Sequence, residues 1–316
     1  MAEFLAILEF SLSVTGPIFV VLALGVWLRR LGMLTDAFIE AGSRLVFNVA
    51  LPALLFISIS KTRLDATANL SLVGFGALAT VIVFVLLEWV AGRAVRPERD
   101  RGVVVQGAFR SNLGIIGLAY TMNAYGEAGL VASSLYLGLI TILYNVLGVI
   151  TLNRSLHKSR GLRGMAKGIA TNPLILGIVL ALPVSWSGLA LPKLVLQSGQ
   201  YFSNLTLPLA LLCTGAALDF NSLRRERDNA LIATASKLVV VPLLLTLGGY
   251  LLGFRGMELG VLMLMSSAPT AAASYVMVRA MGGNAPLAAN IIALTTLGSL
   301  LTTSAGIVAL RTFGLM

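Results

Sequence analysis

The chain has 316 residues, of which 57% are hydrophobic and only 11% charged, and its mean hydropathy is +0.91. A soluble domain carries about 25% charged residues to cover its surface, so these figures exclude an ordinary soluble enzyme and a disordered chain, and they call for bilayer hydrocarbon as the covering. The net charge of +10 fits Lys and Arg collected in cytoplasmic loops better than a nucleic-acid-binding surface.

A spanning helix needs about 20 mostly apolar residues. In chain order the apolar segments run over about 11–29, 37–60, 70–92, 102–124, 128–152, 169–185, 198–218, 229–253, 257–281 and 286–310. They are too long and too continuously apolar for the in/out alternation of a barrel strand, so the predicted fold is an all-α integral membrane protein of ten helices. Residues 1–10 carry Glu3 and Glu9 and no base, so the first segment is not read as a cleaved signal and is expected to stay in the protein. Basic residues set the orientation. Fifteen fall on one side, chiefly Arg29 and Arg30, Arg93 to Arg101, Arg154 to Lys167, and Arg224 to Arg227; five fall on the other, including Lys61, Arg63 and Lys193. This split places the basic loops in the cytoplasm and both termini outside.

Cys213 and His157 are the sole cysteine and histidine. No disulfide, Cys-rich metal site or His-dependent nucleophile is therefore available within one chain. No metal or other cofactor is expected, and the composition does not favour a membrane enzyme.

Two motifs recur at one offset of 156 residues. Thr15-Gly16-Pro17 matches Thr171-Asn172-Pro173, and Asn48-Val49-Ala50-Leu51-Pro52 matches Asn204-Leu205-Thr206-Leu207-Pro208. The shift advances the chain by five spans. An odd number inverts the second half in the membrane, giving repeats over 1–156 and 157–316, a pattern of secondary transporters.

In such folds the site lies where broken helices expose backbone near the midplane. Span four is interrupted by Arg110-Ser111-Asn112-Leu113-Gly114, and span nine by Ser266-Ser267-Ala268-Pro269-Thr270. Both are expected to break and cross. Amides at the start of the second half-helix favour an anion, with Ser111, Asn112, Ser267 and Thr270 supplying hydrogen bonds beside Gly114 and Pro269. Arg110 is costly at this depth; a substrate carboxylate, a fixed partner and snorkelling toward the cytoplasm are all open to it. Lys237, a third of the way into span eight, is read as snorkelling or paired, with Glu88 as one partner. Asn48 and Asn204 either line the site or hydrogen-bond between helices, and Asn145, beside Tyr144, is a weaker candidate. No Asp or Glu lies near the middle of any span, which disfavours a cation carrier and suits a neutral or anionic substrate.

The stretch Arg110 to Leu118, the run Ala268-Pro269-Thr270-Ala271-Ala272 leading to Gly282-Gly283, and the Asn48-to-Pro52 motif resemble the auxin efflux carrier family, over about Ser11 to Arg311. Bacterial members are described as malonate or malate permeases. The resemblance implies two inverted five-helix repeats with crossed broken helices, as in bile-acid sodium symporters. It implies a scaffold of spans 1, 2, 6 and 7, which forms a homodimer, and a moving transport unit of spans 3–5 and 8–10. It further implies an elevator motion and a small carboxylate bound near Asn112 and Pro269, in a bacterial inner membrane. Two features depart from the family: Ala119-Tyr120 stands where a proline is common, and the long hydrophilic central loop of the plant members is missing. The alternatives are a sodium- or proton-coupled symporter and a non-transporting scaffold.

Overall fold

A computed structural model of the chain describes residues 2–60, 70–156, 171, 173–189, 191–217 and 227–316. Asn172, His157, Asp219 and the loop bases Lys61, Arg63, Lys158, Arg160, Arg163, Lys167, Arg224 and Arg225 lie outside the described residues. The described chain is helical nearly throughout. Six helical stretches are long and apolar enough to cross a membrane: Leu5–Arg30, Asp36–Ile57, Leu70–Ala94, Leu113–Ser155, Arg227–Leu251 and Ala285–Thr312. Leu176–Ser187 and Gly256–Ser267 are shorter apolar helices.

The helices are α1 (Ala2–Arg30), α2 (Asp36–Leu45), α3 (Leu51–Ser60), α4 (Leu70–Ala94), α5 (Arg101–Phe109), α6 (Leu118–Ser155), α7 (Pro173–Ser187), α8 (Lys193–Ala216), α9 (Arg227–Ala235), α10 (Val241–Leu251), α11 (Gly256–Ser267), α12 (Ala273–Met281) and α13 (Ala285–Thr312). Several of them are parts of one continuous segment. Wide π turns at Val46–Ala50 and Ser236–Val240 join α2 to α3 and α9 to α10. Each is followed two residues later by a proline, Pro52 or Pro242. Proline has no amide hydrogen and its ring crowds the carbonyl four residues back, so the preceding turn widens and the helix continues. The 38-residue α6 bends at Gly126, whose φ of 62° and ψ of −144° suit only glycine. This bend falls in the gap between the fourth and fifth apolar segments.

The segment at 198–218 corresponds to α8, which is not among the six long apolar stretches. Gln197, Gln200, Ser203 and Asn204 make its first half polar. The segment at 257–281 is divided into α11 and α12 by the break at Pro269, which leaves each piece too short on its own.

Two sets of helices pack closely. In the first, α1 lies on α8, α8 on α3, and α3 on α7. Small residues let these backbones touch, as in other membrane helix pairs. A Cβ on Gly215 of α8 would stand 2.1 Å from the Leu22 carbonyl oxygen of α1, and one on Gly177 of α7 would stand 2.8 Å from the Pro52 carbonyl oxygen of α3. In the second set, α4 and α6 pack on α5, α10 packs on α11, and α13 runs beside α5, α9, α11 and α12. The exterior is apolar, with Leu78, Ile82, Val85 and Trp89 of α4 and Leu301 of α13 pointing outward, as hydrocarbon contact requires.

The α1–α8 contact yields a packing prediction. Gly215→Val places atoms where the Leu22 carbonyl stands and should destabilise by about 1–3 kcal/mol, seen as a lower thermal midpoint in detergent. Gly16→Ala, where a Cβ meets nothing within 4 Å, should leave the midpoint unchanged.

Candidate functional site

The site is built from two interrupted helices. α5 ends at Phe109, Arg110 is extended (φ −82°, ψ 91°), and a π turn over Leu113–Gly117 restarts the helix. α11 ends at Ser267. Ala268 is extended (φ −55°, ψ 140°), as the residue before a proline must be. The two breaks meet as one antiparallel bridge pairing Ser111 with Thr270. Its backbone bonds run from Asn112 N–H to the Pro269 carbonyl at 2.7 Å and from Ala271 N–H to the Arg110 carbonyl at 3.0 Å.

Three further backbone groups freed by the breaks also find partners. In an unbroken helix the Thr270 N–H would bond the Ser266 carbonyl; here it bonds Thr295 Oγ1 of α13 at 3.1 Å. The Gly107 carbonyl, left open by the first break, accepts from Thr270 Oγ1 at 2.6 Å. The freed Ser266 carbonyl accepts from Lys237 Nζ at 2.6 Å and from Ser111 Oγ at 3.3 Å. Lys237 Nζ also bonds Ser111 Oγ at 2.5 Å.

Two cations therefore stand at the crossing. Lys237 is fully buried and Arg110 is 7% exposed. Arg110 Nη2 donates to Asn145 Oδ1 at 2.8 Å, and its Nη1 lies 3.7 Å from Met277 Sδ. Among the described residues neither cation has a carboxylate within 4.0 Å. Glu88, a partner considered for Lys237, instead accepts from Thr151 and lies 3.6 Å from Arg154. Lys237 neither snorkels nor pairs with an acid.

The structure gathers Arg110, Ser111, Asn112, Pro269 and Thr270 at the bridge, with Asn145 joined through Arg110. Asn112 is 6% exposed, and its side chain makes no hydrogen bond to another described residue. Ser267 turns its hydroxyl back to the Leu264 carbonyl. Gly114 lies one step into the π turn, where a Cβ would meet Leu51 at an ordinary 3.8 Å. Asn48 and Asn204 are not drawn into the bridge: both are exposed, Asn48 donating to the Arg44 carbonyl and Asn204 accepting from Gln200, each along its own helix.

The structure adds residues that the sequence did not single out. Thr295 anchors the second break, and Gln106, one turn before Arg110, has its Nε2 3.0 Å from Met277 Sδ. Gly148 makes room for this cluster, since a Cβ there would stand 2.8 Å from Gln106 Nε2. The available signal was weak: one polar residue in an apolar run, and one threonine among many.

Comparison with known proteins shows the family of the chain. The family described as "Membrane transport protein" matches residues 13–161 and 162–307. The chain belongs to this family, that of the auxin efflux carriers. It is 28% identical over 271 residues to an uncharacterized transporter of Methanothermobacter thermautotrophicus, covering 82% of this chain and 85% of that protein. It is 26% identical to the uncharacterized transporter MJ1031 of Methanocaldococcus jannaschii (82% and 86% covered), and 24% identical to the uncharacterized transporter YfdV of Escherichia coli K12 (90% and 94% covered). The protein is a membrane transporter, and that family membership implies a transport role rather than an enzymatic one.

In this transporter Thr295 serves the fold of the crossing. Thr295→Ala leaves the Thr270 N–H without a partner in a buried place, at a cost of about 1–3 kcal/mol. The thermal midpoint should fall, and Thr295→Ser should restore most of it.

Proposed function

We propose that this transporter is a secondary carrier of a small organic anion, a mono- or dicarboxylate that includes auxin-like acids. The observation that carries the reading is the pair of buried cations, Arg110 and Lys237, with no described carboxylate within 4.0 Å. An arginine stays protonated in proteins, and a buried charge without its counter-charge costs several kcal/mol. An anion at the crossing supplies that counter-charge. The free amide of Asn112 and the start of the helix restarting at Leu113 give it hydrogen-bond donors and a favourable dipole.

The transport cycle in this proposal is alternating access of the elevator type. Ten spans form two inverted repeats over 1–156 and 157–316. Spans 1, 2, 6 and 7 make a scaffold that dimerises, and spans 3–5 and 8–10 carry the crossing. Three observations support this reading: the repeated motifs at one offset, the pairing of one break with the other, and the close packing of α1, α3, α7 and α8 among themselves. The crossing is buried, with Ser111, Asn112 and Thr270 all shielded, as in an occluded stage of such a cycle. In a bacterial inner membrane with both termini outside, export of an anion is favoured by about 2.3 kcal/mol per charge per 100 mV, so export needs no coupling ion. The second reading, uptake coupled to sodium or protons, would show as a strict requirement for that ion gradient.

Flux of radiolabelled mono- and dicarboxylates in proteoliposomes tests the proposal. Asn112→Ala should lower flux by about tenfold or more and leave expression and thermal midpoint unchanged, since the side chain holds no described partner. If no carboxylate is transported and none raises the parent's midpoint, the anion-carrier reading is wrong.

A further inference from the structure

Lys237 occupies a place with the character of a cation-binding site. Its ammonium bonds the Ser266 carbonyl at 2.6 Å and Ser111 Oγ at 2.5 Å. The first is a carbonyl in the last turn of α11, released by the break at Pro269. The second belongs to the extended segment after α5. Unwound carbonyls and the C-terminal ends of broken half-helices are the groups that coordinate sodium in ion-coupled carriers, because the helix dipole is negative there. Lys237 enters this place from a third element, the π turn Ser236–Val240. The side chain is fully buried, and Leu238 beside it packs into the space above Gly298 of α13, where a Cβ would stand 2.4 Å from Leu238 Cδ1. The ammonium is thus delivered to oxygens from both breaks by a covalent tether.

We propose that Lys237 is a built-in counter-cation, filling at the crossing a site that would otherwise take a free monovalent cation, so that carriage of the anion is independent of sodium. This rests on the anion-carrier reading only for its consequence for flux; the cation site itself stands on the geometry. An ammonium carries the charge of a sodium ion and donates up to three hydrogen bonds, of which two are accounted for. The tether removes the entropy cost of capturing a free ion. The site then cannot empty during the cycle, and the charge that moves with the substrate is fixed by the protein.

Removing the tether should turn the place into a site for a soluble cation. Lys237→Ala deletes three carbons and the ammonium, the outline of n-propylammonium. Its thermal midpoint in choline chloride should lie below the parent's. Millimolar n-propylammonium chloride, and sodium chloride less strongly, should raise it by about 3 °C or more, while the parent's midpoint stays still in all three salts. Lys237→Met fills the space without charge and should respond to neither cation. Equal midpoints for Lys237→Ala in choline, sodium and n-propylammonium would overturn the proposal. In proteoliposomes the parent should carry carboxylate equally in sodium and choline. Lys237→Ala should be inactive in choline and recover about tenfold in n-propylammonium. A parent that requires sodium overturns the tether and leaves the carrier reading standing; this arm decides the matter even if Lys237→Ala does not fold. A parent that moves no carboxylate, beside a Lys237→Ala whose midpoint follows the cation, overturns the carrier reading and leaves the cation site standing.

Discussion

The constraint on which the structure depends is that a helix opened inside hydrocarbon must find new partners for its backbone. α5 and α11 both open, and each is the principal partner of the other. Two backbone bonds close the Ser111–Thr270 bridge, and three of the groups left over are taken by side chains: the Gly107 carbonyl by Thr270, the Thr270 amide by Thr295, the Ser266 carbonyl by Lys237. One break alone would leave several such groups unpaired. That is why the interruptions occur as a pair, and why the residues around them are short and polar where the rest of the second helix set is apolar.

The same opening sets the electrostatics. Each break ends one helix with its carbonyl, negative end toward the crossing, and the end of α11 has a lysine ammonium on it. Lys237 lies on the last turn of α11, and the guanidinium of Arg110, the residue after α5, reaches Asn145 and Met277. A helix end carries only about half a charge. In the proposed carrier, an anion would meet these two basic side chains together with the side-chain amide of Asn112.

The breaks were legible in the sequence because Pro269 and the Arg110-to-Gly114 stretch violate the apolar pattern of their segments. Their pairing was expected from the repeated motifs, and Arg110, Ser111, Asn112, Pro269 and Thr270 do meet, whereas Ser267 turns away and Asn48 and Asn204 lie elsewhere. Those two asparagines share a local motif, an amide one turn before a proline, and local sequence does not say which way a helix faces when lipid and core are equally apolar. Lys237 was misassigned for a related reason. Its acceptors are one serine hydroxyl 126 positions away and a main-chain carbonyl, and the latter becomes an acceptor only because a different helix breaks. A search for acidic partners leads to Glu88, which is engaged with Thr151 and Arg154. The extent of the helices was less legible than their existence: α6 runs through two expected segments with a bend at Gly126, and prolines produced π turns rather than ends.

The distribution of polar ties bears on the proposed motion. The crossing is bonded to the π turn of Lys237, to α6 through Asn145, and to α13 through Thr295. All of these belong to the second set of helices, so that set holds the site as one body. Toward the first set the contacts near the crossing are apolar, as between Leu51 of α3 and the position of Gly114. Among the described residues, hydrogen bonds between the sets gather near the middle of α1, where Ser11 and Thr15 meet Ser304 and the Val14 carbonyl accepts from Asn123. Displacing one set along the other would break those few bonds and slide apolar surfaces elsewhere, leaving the bridge and the contacts of Arg110 and Lys237 intact. The polar chemistry that opened helices demand is thereby kept inside the body that would move, and the surface along which it would move is the part of the structure with the least to lose from sliding.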